Sequence, residues 1–192
     1  MRQGELVQEG FYAGIWHNRW ARITLEALLV VGFSAITALA KRAHPSLGIP
    51  SSSAPFWLTA MIVARSTMKW KGAGALVGVG AALWGGPVGL EHAFGQNLLS
   101  FGLAGGALDL VTMIPGIDIR RWWGAIVCAL AANMTQFGVI VYSALSSTVI
   151  KHFQIVGMTR STLLHVGFGV AAGIIGWAIF RGARSGLKRI SA

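Results

Sequence analysis

The chain has 192 residues, of which 54% are apolar and 11% are charged, less than half of the roughly 25% charged residues typical of soluble domains. Its formal net charge of +10 suggests a nucleic-acid partner, but a mean hydropathy of +0.62 leaves too little polar surface for a soluble nucleic-acid-binding domain. The single cysteine excludes an intrachain disulfide framework and a cysteine-based zinc site. These properties predict an all-α integral membrane protein.

The first predicted element is a cytoplasmic interfacial segment over residues 1–20. Val7, Phe11 and Ile15 recur there every four residues, which predicts a short amphipathic N-terminal helix on the membrane surface. An ordered tail without a function is the alternative interpretation. The segment has no uninterrupted apolar core, so we expect no cleaved signal peptide.

Six apolar stretches follow, each near the roughly 20 residues that cross a bilayer, and they form a predicted transmembrane domain over residues 21–180. They lie at about 21–40, 55–70, 73–90, 94–113, 122–148 and 161–180. The second and third stretches are short, and only a tight turn separates them. Five spans with one re-entrant segment is therefore the alternative to six. Residues 181–192 form a basic cytoplasmic tail.

The basic residues orient these spans, because flanking Lys and Arg favour the cytoplasmic side. With the N-terminus inside, 12 of the 16 Lys and Arg residues fall in cytoplasmic segments. We therefore expect both termini to be cytoplasmic, in a multi-pass protein of the cell (inner) membrane. The net charge then reflects topology and some attraction to anionic lipid headgroups, and no nucleic acid is expected as a partner.

Small residues spaced four apart predict faces where helices pack closely, within the chain or against a partner. The pairs are Gly74/Gly78, Gly102/Gly106, Gly169/Gly173 and Ser34/Ala38. The glycine-rich stretch 72–80 has no GxGxxG spacing, so it does not indicate a dinucleotide site.

Three charged residues lie inside the apolar stretches at a similar depth on the inner half: Glu26, Arg65 and Asp109. Because an unpaired charge is costly in a membrane, we predict a buried cluster in which Arg65 is neutralised by Asp109, Glu26 or both. An ion pair that fixes helix register is favoured over a functional role, and no catalytic residue is predicted.

Polar side chains gather toward the outer ends of the last three spans. The predicted group consists of Gln96, Asn97, Ser100, Asn133, Gln136, Tyr142, Ser143, Ser147, Thr162 and His165, with Trp57 and Phe94 nearby. Any one of these residues is explained by hydrogen bonding between helices. Their convergence at one depth also fits a small-ligand pocket.

His165 is the one histidine placed inside a predicted span. The chain contains no HExxH or CxxCH motif, so we predict no metal site and no cofactor. A lone intramembrane histidine is more often bonded to a neighbouring helix. Ligation of a pigment or haem by His165 stays open.

The layout resembles the S components of energy-coupling factor transporters, which are six-helix membrane proteins that capture vitamins or their precursors. The resemblance rests on the glycine-rich third span, the stretch Phe101-Gly-Leu-Ala-Gly-Gly-Ala-Leu-Asp109-Leu, and the stretch Leu163-Leu-His165-Val-Gly-Phe-Gly-Val-Ala-Ala-Gly173 followed by a basic tail. Position 2 is Arg, where cobalt- and nickel-type members carry His, which argues against a metal substrate.

This resemblance implies an outward-opening pocket formed by the first outer loop and the last three spans. The matching places are the 43–57 loop with Gln96, Asn97, Gln136, Tyr142 and His165. It also implies that small residues of the first span contact a transmembrane coupling protein, for which Ser34 and Ala38 are the candidates.

The sequence thus leads to two functional hypotheses, neither of them enzymatic. The first is a substrate-capture subunit for uptake of a small vitamin-like molecule, driven by partner ATPase subunits, because this chain has no GxxxxGK[ST] phosphate loop. The second is an accessory scaffold subunit of a larger membrane complex, photosynthetic or respiratory.

Overall fold

The structure is a computed structural model, and it describes residues 19–43, 52–89, 94–146 and 152–190. All regular secondary structure in these ranges is helical, which confirms the all-α fold class. The predicted interfacial helix before residue 19, most of the 43–57 loop and Ser147 lie outside the described residues.

Six helices follow in chain order within the described ranges. They are α1 (Arg19–Ala43), α2 (Ala54–Thr67), α3 (Ala73–Trp84), α4 (94–112), α5 (Trp122–Ser146) and α6 (His152–Ile190). Within α4, a π-helical turn at Leu98–Gly102 separates α-helical Phe94–Asn97 from α-helical Leu103–Thr112.

The helices differ in length from the predicted spans. α1 and the Gly157–Gly186 part of α6 are long and apolar enough to cross a membrane. α2 has 14 residues and α3 has 12, or about 21 and 18 Å at the helical rise of 1.5 Å per residue, against a hydrocarbon core of about 30 Å. α6 runs for 39 residues. The structure therefore shortens the second and third predicted spans and lengthens the sixth.

α2 is the central helix of the bundle. Nine of its 14 residues are buried, and it contacts each of the other five helices. Pro55 stands in its first turn, where the missing N–H costs no helical hydrogen bond. Around α2, α1 contacts α3, α3 contacts α4, α4 contacts α5, and α5 contacts α6.

Glycines bring α3 against α4. A Cβ atom on Gly74 would lie 2.7 Å from the carbonyl oxygen of Gly105, and one on Gly78 would meet the backbone of Phe101. Gly106, half of the pair predicted for the fourth span, lies away from this contact, and a Cβ atom there would meet nothing within 4 Å. The close approach therefore uses Gly105 instead.

A tight turn leads from α4 to α5. The N–H of Ile117 donates to the carbonyl of Ile114 at 3.1 Å, and Gly116 between them has a φ of +90°. With Pro115 before the glycine, this is the pattern of a type II turn.

We call the end of the bundle formed by residues 65–72, 113–123 and 177–186 the basic end. The end where α2, α4 and α6 begin is the opposite end.

The outer surface of the described helices carries many large apolar side chains. Each helix exposes at least one large apolar side chain, for example Leu28, Phe56, Leu83, Leu110, Trp122 and Leu163. Several polar or charged side chains are buried instead, among them Glu26, Asn97, Asp109, Asn133 and His165. Soluble domains rarely combine so much exposed apolar surface with a polar interior.

Candidate functional site

A buried ion pair joins α2 to α4 near the basic end. The Nε atom of Arg65 lies 2.7 Å from Oδ1 of Asp109, and the two side chains are 12% and 6% exposed. Nη2 of Arg65 also donates a hydrogen bond to Oγ1 of Thr112 at 3.0 Å. The structure therefore brings together two of the three charges that the sequence predicts to cluster.

Asp109 also holds the first turn of α3. Its Oδ1 accepts a hydrogen bond from the N–H of Gly74 at 3.2 Å, and its Oδ2 accepts one from the N–H of Ala75 at 2.8 Å. A helix N-terminus leaves such N–H groups without partners inside the helix and favours a negative charge. A Cβ atom on Gly74 would lie 3.2 Å from the carboxylate, so glycine leaves room for this approach. Because both carboxylate oxygens are engaged, the pair fixes the register of three helices.

Glu26, the third predicted member of the cluster, does not join this pair. Its side chain is 3% exposed, but the ion pair found among the described residues is between Arg65 and Asp109. Oε2 of Glu26 has no hydrogen-bond partner within the described part of the chain. Glu26 stays apart because the carboxylate beside the Arg65 side chain is that of Asp109 on α4 and not one from α1.

The polar residues toward the opposite end are organised by the contact between α5 and α6. These helices run antiparallel, with Gly173 against Ile126 and Gly169 against Leu130. At the next matching position, Nδ2 of Asn133 donates a hydrogen bond to the backbone oxygen of His165 at 2.6 Å. This register decides which side chains on the two helices lie level with each other.

The His165 ring is held by its own helix. It is 1% exposed, and Nδ1 lies 2.8 Å from the backbone oxygen of Ser161. Because a carbonyl oxygen only accepts hydrogen bonds, Nδ1 carries a proton, and Nε2 of the neutral ring is an acceptor. Nε2 is buried and has no hydrogen-bond partner among the residues that the structure describes.

A second buried nitrogen without a described partner belongs to Gln136 on α5. Gln136 follows Asn133 by three residues on the same face of α5, and its Nε2 donates to no described group. The His165 ring is directed toward the opposite end, because its Nδ1 bonds to Ser161, which lies one turn nearer that end. Since Asn133 lies opposite His165, the free donor of Gln136 and the free acceptor of His165 belong to residues within about one helical turn of each other along the bundle.

Side chains of α2 and α4 lie at neighbouring depths. Trp57 and Phe101 make an edge-to-face contact with 5.5 Å between ring centroids, and buried Asn97 lies one turn closer to the opposite end. Thr59 aligns α2 with α6 by donating a hydrogen bond to the carbonyl of Ala172 at 3.3 Å. By this register, Asn97 is about level with the two free nitrogens, and the aromatic pair lies about one turn deeper.

Lys41 is a candidate residue that sequence reasoning missed. Its Nζ lies 4.8 Å from the centroid of the Phe101 ring, an arrangement that attracts a cation to the ring face. By its place after the first apolar stretch, Lys41 is one of the four basic residues of the predicted outer segments. A lysine at the end of an apolar span can direct its long side chain either way, so its position alone does not reveal this contact.

Other predicted pocket residues point elsewhere. Gln96 is exposed, because it precedes buried Asn97 and one residue step turns a helix by about 100°. Tyr142 is 74% exposed, since six residues beyond Gln136 is a different face of α5. Ser100 lies in the π-helical turn and is partly buried. Gln96 and Tyr142 therefore do not line the site in this structure.

The structure places Ser34 and Ala38, the predicted partner contacts, inside the bundle. These residues are 1% and 0% exposed, and Oγ of Ser34 donates a hydrogen bond to the backbone oxygen of Val77 at 3.1 Å. α3 already covers this face of α1. Leu28 and Leu39 are instead among the exposed side chains of α1.

Comparison of the chain with protein-family models, with curated proteins and with solved structures finds no match.

Proposed function

We propose that the protein is a six-helix protein of the cell (inner) membrane, with both termini cytoplasmic. Exposed apolar side chains on every described helix support this setting, since lipid is the surroundings in which they cost least. α2 and α3 are each shorter than a full span, but nine of the 14 residues of α2 are buried and all five other helices contact it. Backbone at membrane depth is tolerated where protein covers it.

Within this setting, the protein captures a small molecule at the opposite end of the bundle. The observation that carries this proposal is the pair of buried nitrogens without a described partner, Nε2 of Gln136 and Nε2 of His165, on facing helices within about one turn of each other. A buried polar group without a partner costs about 1–3 kcal/mol, so a protein gains stability when a ligand supplies the missing hydrogen bonds.

The site's chemistry defines the ligand class. The Gln136 amide donates and the His165 ring accepts, which suits a heterocycle with a neighbouring carbonyl and N–H group. The aromatic pair Trp57 and Phe101 provides apolar surface one turn deeper, and Lys41 adds one positive charge. A neutral or singly anionic heterocycle of vitamin size fits these groups better than a cation does.

Uptake would be driven by partner subunits, a transmembrane coupling protein and ATPases, as the resemblance to S components implies. Because Ser34 and Ala38 are covered by α3, a coupling protein that binds α1 has to use the exposed side of that helix. Leu28, Val31 and Leu39 are exposed there.

Binding measurements on purified protein test the proposal. Calorimetry against a panel of vitamins and their precursors is expected to find one binder, and Gln136→Leu should weaken its binding about tenfold or more, since one hydrogen bond is lost. Thr135→Val is the matched control, because Thr135 Oγ1 bonds to its own helix at Ala132. Equal affinities in the wild type and Gln136→Leu would refute the site.

A second candidate is the scaffold subunit, which one observation favours. Asn133 and Nδ1 of His165 already hydrogen-bond within the α5–α6 pair, as expected of polar groups that only join helices. Should no panel member bind while the protein co-purifies stoichiometrically with a large membrane complex, the scaffold is the correct function. Pigment absorbance in the purified protein would point the same way.

A further inference from the structure

The basic end contains a cavity that neither the capture site nor the ion pair uses. It has a volume of about 600 Å³ and lies between the start of α5 and the last turns of α6. Its lining combines four arginines with four aromatic side chains: Arg120, Arg121, Arg181, Arg184, Trp122, Trp123, Trp177 and Phe180. Such a lining offers both positive charge and apolar walls.

The positive charge of this cavity is largely unbalanced. Asp118 is the neighbouring carboxylate in the described part of the chain, and its Oδ1 already accepts a hydrogen bond from the backbone N–H of Arg120 at 2.9 Å. Nε of Arg120 is held by the carbonyl of Ser66 at 3.2 Å, which fixes the guanidinium between α2 and the cavity. A second cavity of about 440 Å³ adjoins it, shares Arg120 and Arg184, and adds Lys69.

One aromatic side chain of the cavity contacts an arginine, and the aromatic lining adjoins exposed apolar side chains. The guanidinium carbon of Arg181 lies 5.2 Å from the centroid of the Trp177 ring, a cation–π geometry. Trp122, which lines the cavity, is exposed, as is Ile174, which lies two turns before Arg181 on the same side of α6. A ligand with an anionic head and apolar chains would therefore find matching surface at both ends.

We propose that this cavity binds the phosphate group of an anionic phospholipid, with the acyl chains lying on the exposed apolar side of α6. The arginines supply paired N–H donors suited to phosphate oxygens. Basic pockets between membrane helices recognise anionic headgroups in this way. The proposal rests on the membrane setting but not on ligand capture at the opposite end, so either can fail without the other.

Native mass spectrometry and thermal melting of the detergent-purified full chain test this site. Wild-type protein should retain phosphatidylglycerol in preference to phosphatidylcholine and melt at a higher temperature with it. The double variant Arg181→Gln/Arg184→Gln should weaken phosphatidylglycerol binding about thirtyfold, roughly fivefold for each arginine removed. Both side chains are exposed, so the fold should persist. Melting without lipid checks this.

Two controls make the result specific to the cavity. Arg42→Gln/Arg160→Gln removes the same charge from exposed arginines outside the cavity and should leave phosphatidylglycerol binding within about twofold, since its headgroup contacts stay intact. Arg181→Lys/Arg184→Lys keeps the charge and should retain most of the binding. Equal losses in the two glutamine variants, or no preference of the wild type for phosphatidylglycerol, would overturn the proposal. Stabilisation by inorganic phosphate as strong as that by phosphatidylglycerol would overturn the assignment to lipid.

Discussion

Replacing Asp109 by asparagine tests whether one carboxylate holds three helices together. The substitution keeps the size of the side chain but removes its charge. An asparagine still offers one carbonyl oxygen to the first turn of α3, but its NH₂ group faces a second N–H donor where Oδ2 now accepts from Ala75. Arg65 loses the carboxylate that lies 2.7 Å from its Nε.

The expected loss follows from these contacts. Breaking a buried ion pair by removing one partner costs about 3–5 kcal/mol, and the small exposure of both side chains, 12% and 6%, leaves little solvent to reduce it. The hydrogen bonds to the first turn of α3 are made by the same carboxylate, so the estimate of about 3–5 kcal/mol already includes their loss. At about 2–4 °C per kcal/mol for a chain of this size, the melting temperature should fall by about 6–20 °C.

Thermal unfolding in detergent measures this loss, with Asp118→Asn as the matched control. Asp118 is exposed and accepts one backbone hydrogen bond, so its replacement should cost less than about 1 kcal/mol. Arg65→Met and the double variant complete a double-mutant cycle, in which the double variant should be at least about 2 kcal/mol more stable than additivity predicts. Additive losses would show that the two residues act independently and would refute the reasoning.

Two further predictions concern packing and topology. Gly105→Ala should destabilise the protein by about 1–3 kcal/mol, because its Cβ would lie 2.7 Å from the backbone carbonyl carbon of Gly74; the neighbouring Gly106→Ala meets nothing within 4 Å and should be neutral or slightly stabilising in the same melting assay. An impermeant maleimide should label Ser52→Cys from outside the cell and Ser185→Cys only after permeabilisation, with no background from buried Cys128. The reverse pattern would invert the topology.

The sequence predicts the ion pair because a membrane interior forces charges to find partners. It cannot decide between Glu26 and Asp109 as the partner of Arg65, since that choice depends on the rotation of α1 and α4 about their axes. Only the packed structure shows that α4 carries the carboxylate to both Arg65 and the start of α3.

The glycine pattern shows a related limit. Gly74 and Gly78 lie in the predicted packing face, but their contacts on α4 are made by Gly105 and Phe101. Four-residue spacing identifies a face of a helix and not the helix that will cover it. For the same reason, the spacing of Ser34 and Ala38 does not reveal that Ser34 bonds to α3 within the chain.

The π-helical turn at Leu98–Gly102 absorbs one extra residue without rotating one half of α4 against the other. A π-turn accommodates one residue more than the α-helix around it, and each residue rotates a helix by about 100°. Deletion of Leu99 would therefore leave a regular α-helix in which Asn97 still faces the interior and Gly105 and Asp109 keep their contacts with α3. The turn thus gives evolution a place to add or remove one residue of α4 without rotating either half of the helix.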